Sequence, residues 1–197
     1  MPTRTTPLRD KVRTDAGYTM IELLTVLVLI GVTGSLVAPR ISLHQHAVNA
    51  AAHSTGSTLL RAQRRAVQQQ HDVVVAFDLS SNRLRIHDDR DGDRELGAGE
   101  AVSYEQLDEA APFGRGGAPG LNSNSGEVTF SLLQDEMPAV VFSRNGSASE
   151  EGAVYLTSQR AAQGAGYESD TRVALIRRST GRTEWYRYEG SGWKQNF

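Results

Sequence analysis

The stretch GYTMIELLTVLVLIGVTGSLVAPR, residues 17–40, decides how the rest of the chain is read. From Tyr18 to Ala38 it holds 21 residues with one charged side chain, Glu22. At ~1.5 Å per residue, a helix of that length rises about 30 Å, the thickness of a hydrocarbon core. The nearest basic side chains are Arg13 on one side and Arg40 on the other. An unpartnered carboxylate at membrane depth costs roughly 2.5–3.5 kcal/mol, so Glu22 needs a reason to be there.

Upstream, Arg4, Arg9, Lys11 and Arg13 against Asp10 and Asp15 give the leader a net charge of +2, which leaves −4 of the whole-chain −2 to the rest. The basic side therefore stays in the cytoplasm and the C-terminal body is sent across. Three readings of the segment compete. A secretory signal peptide ends in a small-x-small site; a cut after Ala38 would put Leu36 at the −3 position and Pro39 just beyond, while a cut after Gly34 fits better. A plain signal anchor explains length and orientation but not Glu22. The third reading explains Glu22 as well.

Gly17-Tyr18-Thr19-Met20-Ile21-Glu22-Leu23 resembles the processing motif of type IV prepilins and type II secretion pseudopilins. The resemblance implies that a prepilin peptidase cuts after Gly17 and that Tyr18 becomes the methylated N-terminal residue. Glu22, fifth after the cut, would be the assembly charge, meeting the Tyr18 amine of its own chain or of a neighbouring subunit. One helical turn separates the two positions. Pro39, the twenty-second residue after the cut, falls where these pilins kink their long helix.

Beyond the apolar run, Val48, Ala52, Thr55, Leu59, Ala62 and Ala66 recur at steps of three and four. That stripe predicts that the helix continues to Gln70 with its outer half packed on the body. His44, His46 and His53 read as solvated side chains, since 44 and 46 point to different faces. After His71 the period changes to two. Strands are expected at 73–78, 83–88, 127–132, 139–144, 152–158, 171–178 and 183–189, with turns at Ser80-Ser81-Asn82, Asn145-Gly146 and Thr180-Gly181. Residues 110–126, rich in glycine, read as an exposed, mobile loop. The expected organisation is a leader (1–17), a transmembrane or filament-core helix (18–38), an amphipathic continuation (39–70) and a β-rich periplasmic domain (71–197). The fold class is α+β and pilin-like: a long N-terminal helix on an antiparallel sheet or small sandwich.

The order of parts, with FSRNGSASEEGAVYLTS and a late strand followed by STGRTEW, is similar to the GspH/FimT branch of minor pilins. It implies a non-enzymatic subunit at or near the tip of a filament. Such a subunit starts in the inner membrane as a single-pass protein and then joins other pilin or pseudopilin subunits.

No cysteine is present, which removes disulfides, thiolate metal sites and a cysteine nucleophile. The motifs of serine hydrolases, zinc proteases and P-loop enzymes are absent, so a membrane-anchored periplasmic enzyme has no visible machinery. Asp89, Asp91 and Asp93 around Gly92 have the alternation of a calcium loop. Against an EF-hand template, however, His87 takes the first ligand position and Ala98 the last. A solvated hairpin turn accounts for the same letters. The C-terminal end mixes Arg177, Arg178, Arg182, Arg187 and Lys194 with Trp185, Tyr186, Tyr188 and Trp193. Such mixing can bind DNA through phosphates and bases, and some members of the branch resembled take part in DNA uptake with a late Gly-Arg-x-Arg element. Here Gly181-Arg182-Thr183-Glu184 puts a carboxylate at the second arginine, and a strand with its rings in the core explains the pattern equally.

Overall fold

The computed structural model describes residues 18–37, 43–123 and 125–195. It separates into two compact units, Met1–Ile41 and Ser42–Phe197. In the first unit the described element is helix α1, Met20–Val37, of 18 residues. Its rise of about 27 Å is less than the 21-residue span expected to end at Ala38, which lies outside the described residues. Among the described residues no helix is long and apolar enough to cross a membrane. Gly17 and Pro39 also lie outside them.

The second unit begins with helix α2, Leu43–Gln69. The expected stripe is its buried face: Val48, Ala52, Thr55, Leu59, Ala62 and Ala66 are all buried, joined by Ala51 and Thr58. The helix stops because Gln70 turns into the left-handed region (φ 59°) while its side-chain Nε2 donates to the Val67 carbonyl.

Two antiparallel sheets share this helix. Strands β1 (Asp72–Asp78), β2 (Arg83–Asp89), β3 (Val102–Gln106), β4 (Leu133–Gln134) and β5 (Met137–Phe142) form one, in the order β3-β2-β1-β5-β4. Strands β6 (Gly152–Leu156), β7 (Arg172–Ile176), β8 (Thr183–Tyr188) and β9 (Trp193–Gln195) form the other in sequence order, with a short helix α3 (Gln159–Gln163) between β6 and β7. The main core mixes Leu59 of α2, Val75 and Phe77 of β1, Phe142 of β5, and Val154 and Ile176 of the second sheet. The α+β expectation holds, with two antiparallel sheets.

The first hairpin pairs Asp78 with Arg83. The Asp78 carboxylate accepts from the Ser80 hydroxyl, the Ser81 amide and Arg83 Nε at 2.7–3.0 Å. Led by the Ser80 bond, these contacts hold it well below the usual carboxylate range against the opposing effect of burial. The Asn145-Gly146 and Thr180-Gly181 turns are present, with Gly146 at φ 85° and Gly181 at φ 60°.

Three expectations need correction. Residues 127–132 do not form a strand: only Val128 bridges to Val154. Backbone bonds to β6 persist there, the Thr129 amide donating to the Ala153 carbonyl and the Tyr155 amide to the Glu127 carbonyl at 2.9 Å, but side chains interrupt the ladder, Thr129 Oγ1 accepting from the Ala153 amide and the Glu150 carboxylate accepting from the amides of Ser131 and Leu132. Strands β3, β4 and β9, conversely, were not expected. The loop 110–126 is not simply exposed, since Ala111, Phe113 and Ala118 are buried and Phe113 meets Phe77 edge-on at 6.1 Å.

A buried polar clamp ties the start of α2 to the second sheet. Arg172, 1% exposed, donates to Asn49 Oδ1 at 2.9 Å. Asp170, fully buried, accepts from Ser158 (2.6 Å) and from both Nε and Nη2 of Arg160 (2.7 and 3.0 Å). Burial alone would raise the Asp170 carboxyl, but the Arg160 pair and Ser158 outweigh it and hold it below the usual range. Such a depressed carboxylate stabilises the fold above its unfolded value of about 3.9, and that contribution is lost as pH falls through the folded value. The Asp170→Ala variant is expected to lose about 3 kcal/mol, because Arg160 and Ser158 are left without an acceptor. The melting temperature of Asp170→Asn is expected to fall less steeply than that of the parent below about pH 4; parallel profiles would show that Asp170 does not carry this linkage.

Candidate functional site

Helix α1 is apolar on every side. From Tyr18 to Thr33 all described side chains are exposed, among them Met20 (89%), Ile21, Leu24, Leu27 and Ile30. A helix of this kind is stable only where something else covers it, a lipid core or other helices. Its polar atoms are arranged for such a medium. Thr25 Oγ1 donates to the Ile21 carbonyl and Thr33 Oγ1 to the Leu29 carbonyl, both at 2.7 Å, so neither hydroxyl needs water.

Thr19 caps the helix. Its hydroxyl accepts from the Glu22 amide at 3.3 Å, and its carbonyl accepts from the amides of Glu22 (3.0 Å) and Leu23 (3.2 Å). Thr19-x-x-Glu22 is therefore a capping-box pattern, a signal present in the sequence that the motif reading passed over. The carboxylate sits in the first turn, where the helix dipole is positive. It has no salt-bridge partner among the described residues. Tyr18, 78% exposed, precedes the cap.

The acidic loop does bring its three carboxylates together: one oxygen each of Asp89, Asp91 and Asp93 lies within 4.8 Å of the others. Backbone amides already occupy much of this set. Asp89 accepts from Gly92 and Arg94, Asp91 from Asp93, and Asp93 from Glu95. Glu100 accepts from the amides of Arg90 and Gly97, which hold it below the usual carboxylate range, Gly97 first. His87, in the first calcium-ligand position by sequence, is instead fully buried in β2 opposite Val74 and Val102. Burial, then the charge of Arg85, holds its imidazole below the usual range.

At the C-terminal end the basic residues fall into two groups. Arg177 pairs with Glu184 (3.0 Å) and Glu151 (3.3 Å), Arg187 with Glu189, and Lys194 with Glu189 (3.8 Å). Arg178 and Arg182 are exposed and have no ion pair among the described residues. Glu184, the carboxylate where a second arginine would stand, receives Arg177 and the Tyr186 hydroxyl (3.1 Å). The rings are mostly structural. Trp193 donates to the Pro119 carbonyl at 3.1 Å and packs against Tyr155, and Trp185 packs on the main core.

No family model matches the chain, and no curated protein matches it. Among solved structures the chain is similar to the minor pseudopilin EpsH from the type 2 secretion system of Vibrio cholerae. Two structures of that protein each give a TM-score of 0.46 at 12% identity. The alignments cover 71% and 72% of this chain and 96% and 94% of those chains. It is also similar to the type IV minor pilin FimU of Pseudomonas aeruginosa, with TM-score 0.44, 14% identity, and coverage of 76% of this chain and 93% of that one.

Proposed function

We propose that the chain is a minor pilin or pseudopilin, a non-enzymatic subunit of a type IV pilus or type II secretion pseudopilus at or near its tip. A prepilin peptidase cuts after Gly17 and Tyr18 is N-methylated. The subunit waits in the inner membrane with its N-terminus cytoplasmic and its body periplasmic, and other pilin or pseudopilin subunits then cover α1 in the filament. The exposed α1, apolar on every face apart from Glu22 and a few self-bonded hydroxyls, carries this reading, since such a surface must be covered from outside the chain. Glu22 adds the single charge that a neighbour's amine can meet. No cofactor enters the proposal, and the backbone amides on Asp89, Asp91 and Asp93 fit a self-contained turn better than a calcium cage. Blotting sheared filaments and inner membranes tests it: the subunit is expected in both, and its confinement to the membrane of filament-bearing cells would contradict it.

A DNA-binding minor pilin is the second reading, favoured by the exposed Arg178 and Arg182, which form no ion pair within 4 Å among the described residues. The pairing of Arg177, Arg187 and Lys194 removes three of the five cations from it. Filter binding across a salt series separates the two, because phosphate contacts give affinity that falls steeply with salt.

A further inference from the structure

A sheet edge offers unpaired backbone to any passing strand, and folds close such edges. Among the described residues three of the four edges are closed. Strand β4 has two residues and β9 three, one of them Lys194. The free side of β6 is taken by residues 127–129, through the Thr129 and Tyr155 amide bonds and the Val128–Val154 bridge, and by Phe113 bridging to Leu156. Strand β3 is the exception. All five of its residues pair with β2 in unbroken register, none is lysine or proline, and no strand lies on its other side.

The register shows which backbone groups are open. The Asp88 amide donates to the Ala101 carbonyl and the Leu107 amide to the Asn82 carbonyl, at 3.1 and 3.0 Å. Both bonds continue the β2–β3 pairing, so residues 101, 103, 105 and 107 turn their backbone polar groups to β2. Those of Val102, Tyr104 and Gln106 turn outward and have no hydrogen bond among the described residues. Such N–H and C=O groups, repeating about every 7 Å, are matched by an extended polypeptide. Val102 (41% exposed) and Tyr104 (53% exposed) stand on one face of this edge.

On the other face, between β3 and α2, lies a groove of about 380 Å³ lined by Thr58, Arg61, Arg65 and Glu105 among others. It holds more donors than acceptors. Arg61, its side chain 67% exposed, donates through Nη2 to Thr58 and Glu105. Arg65 donates through Nη2 to Asp88, while its Nε is buried without a partner. Both Glu105 oxygens are already used, by Ser54 and by Arg61. Helix α2 itself carries three arginines, three histidines and no carboxylate.

We infer that β3 is completed by an extended strand of a different subunit, with apolar side chains over Val102 and Tyr104 and carboxylates in the α2 groove. The added strand runs antiparallel, as every pair in both sheets does. Backbone complementarity selects a strand, and the surplus donors select acidic side chains on one of its faces. A second copy of β3 does not fit, because it would bring another cationic α2 to the same groove. The source of the strand rests on the subunit reading above; the open edge does not.

A fluorescent, end-capped Lys-Val-Glu-Val-Glu-Val-Lys peptide is the probe, titrated with the full-length protein in mild detergent and read by anisotropy. In the antiparallel arrangement its valine amides face β3 and its glutamate amides face away. An N-methyl group on the central valine is expected to weaken binding at least about tenfold, and one on a glutamate to leave it within about twofold. Exchanging both glutamates for lysine should also weaken it about tenfold. Tyr104→Pro locates the site: the Tyr104 amide has no ladder bond to lose, so this variant should keep its melting temperature within a few degrees and lose the peptide. Tyr104→Phe should bind as the parent does. No saturable binding, methyl groups that act equally at both positions or only at glutamate, or full binding by Tyr104→Pro would overturn the inference. A dimer of the parent that Tyr104→Pro abolishes, seen by light scattering, would give the edge to a second copy and overturn it too. Peptide binding needs no filament, so its failure would leave the subunit reading standing.

Discussion

A Glu22→Ala chain is expected to insert into the membrane and to be cut after Gly17 as efficiently as the parent, yet to fall at least about tenfold in sheared filaments. Insertion improves because the substitution removes the one charged side chain of an otherwise apolar segment. Cleavage is unaffected because the residues at the cut, Gly17 and Tyr18, are unchanged. Assembly fails because α1 presents no other charge to fix one helix against the next, and apolar packing alone lets helices slide. Glu22→Asp, with the charge kept and the reach shortened, should fall between. The Thr19 cap supplies the internal control. If Glu22 served only the capping box, Thr19→Ala would reduce filament incorporation as much as Glu22→Ala. Normal incorporation of a normally processed Glu22→Ala chain would remove the carboxylate from the assembly mechanism.

Gly181→Ala is the substitution expected to damage the body most for its size. Gly181 adopts φ 60°, and an added Cβ would sit 2.3 Å from the Gly146 carbonyl oxygen and 2.7 Å from Gln63 Nε2. Those atoms form a junction of three elements. The Gln63 amide of α2 donates to the Gly146 carbonyl (2.8 Å), in the turn after β5, and to the Thr180 carbonyl (2.7 Å), in the turn before β8. The new methyl thus adds a backbone clash to left-handed strain and pulls apart a contact that joins both sheets to the helix. A loss of about 3 kcal/mol is expected, or roughly 6–12 °C in melting temperature for a body of this size. Gly190→Ala is the comparison: its φ is 80° but nothing lies within 4 Å of the added Cβ, so it should cost about 1 kcal/mol from strain alone. Equal losses would mean that the junction contributes nothing.

What the sequence made legible follows from periodicity. The α2 stripe could be read because eight buried positions at helical spacing leave an unmistakable register, and β1, β2 and β7 could be read because apolar runs end in turn residues. Strand β3 could not, because at an open edge Val102, Ser103, Tyr104 and Gln106 are all exposed and carry no inside-outside alternation. Residues 127–132 alternate well and keep two backbone bonds to β6, yet the side chains of Thr129 and Glu150 take further amides that a regular ladder would pair, and such partial substitution leaves no periodic trace. The loop 110–126 looked mobile for its glycines. At Gly116 that freedom instead brings the chain so close to Thr157 and Ala161 that a Cβ would lie 2.3 Å from the Thr157 hydroxyl. Of the site, Glu22 stood out because its neighbours are apolar, and the acidic triad because its spacing is regular. The left-handed turn at Asp135 and Glu136 was legible at most at its first residue, since aspartate tolerates positive φ whereas glutamate does not announce it. Nor did the letters show that Arg177, Arg187 and Lys194 are paired, because Glu151 and Glu189 reach them only through the folded sheet.

Intact-mass analysis of the protein extracted from membranes tests the central claim most directly, because every step proposed for α1 begins with the cut after Gly17. The predicted result is a chain that begins at Tyr18 and carries a methyl group on its new amine. A chain that begins at Ser35 or Pro39 would contradict it, for it would have lost Glu22 and the apolar helix together and left a secreted body with no filament core.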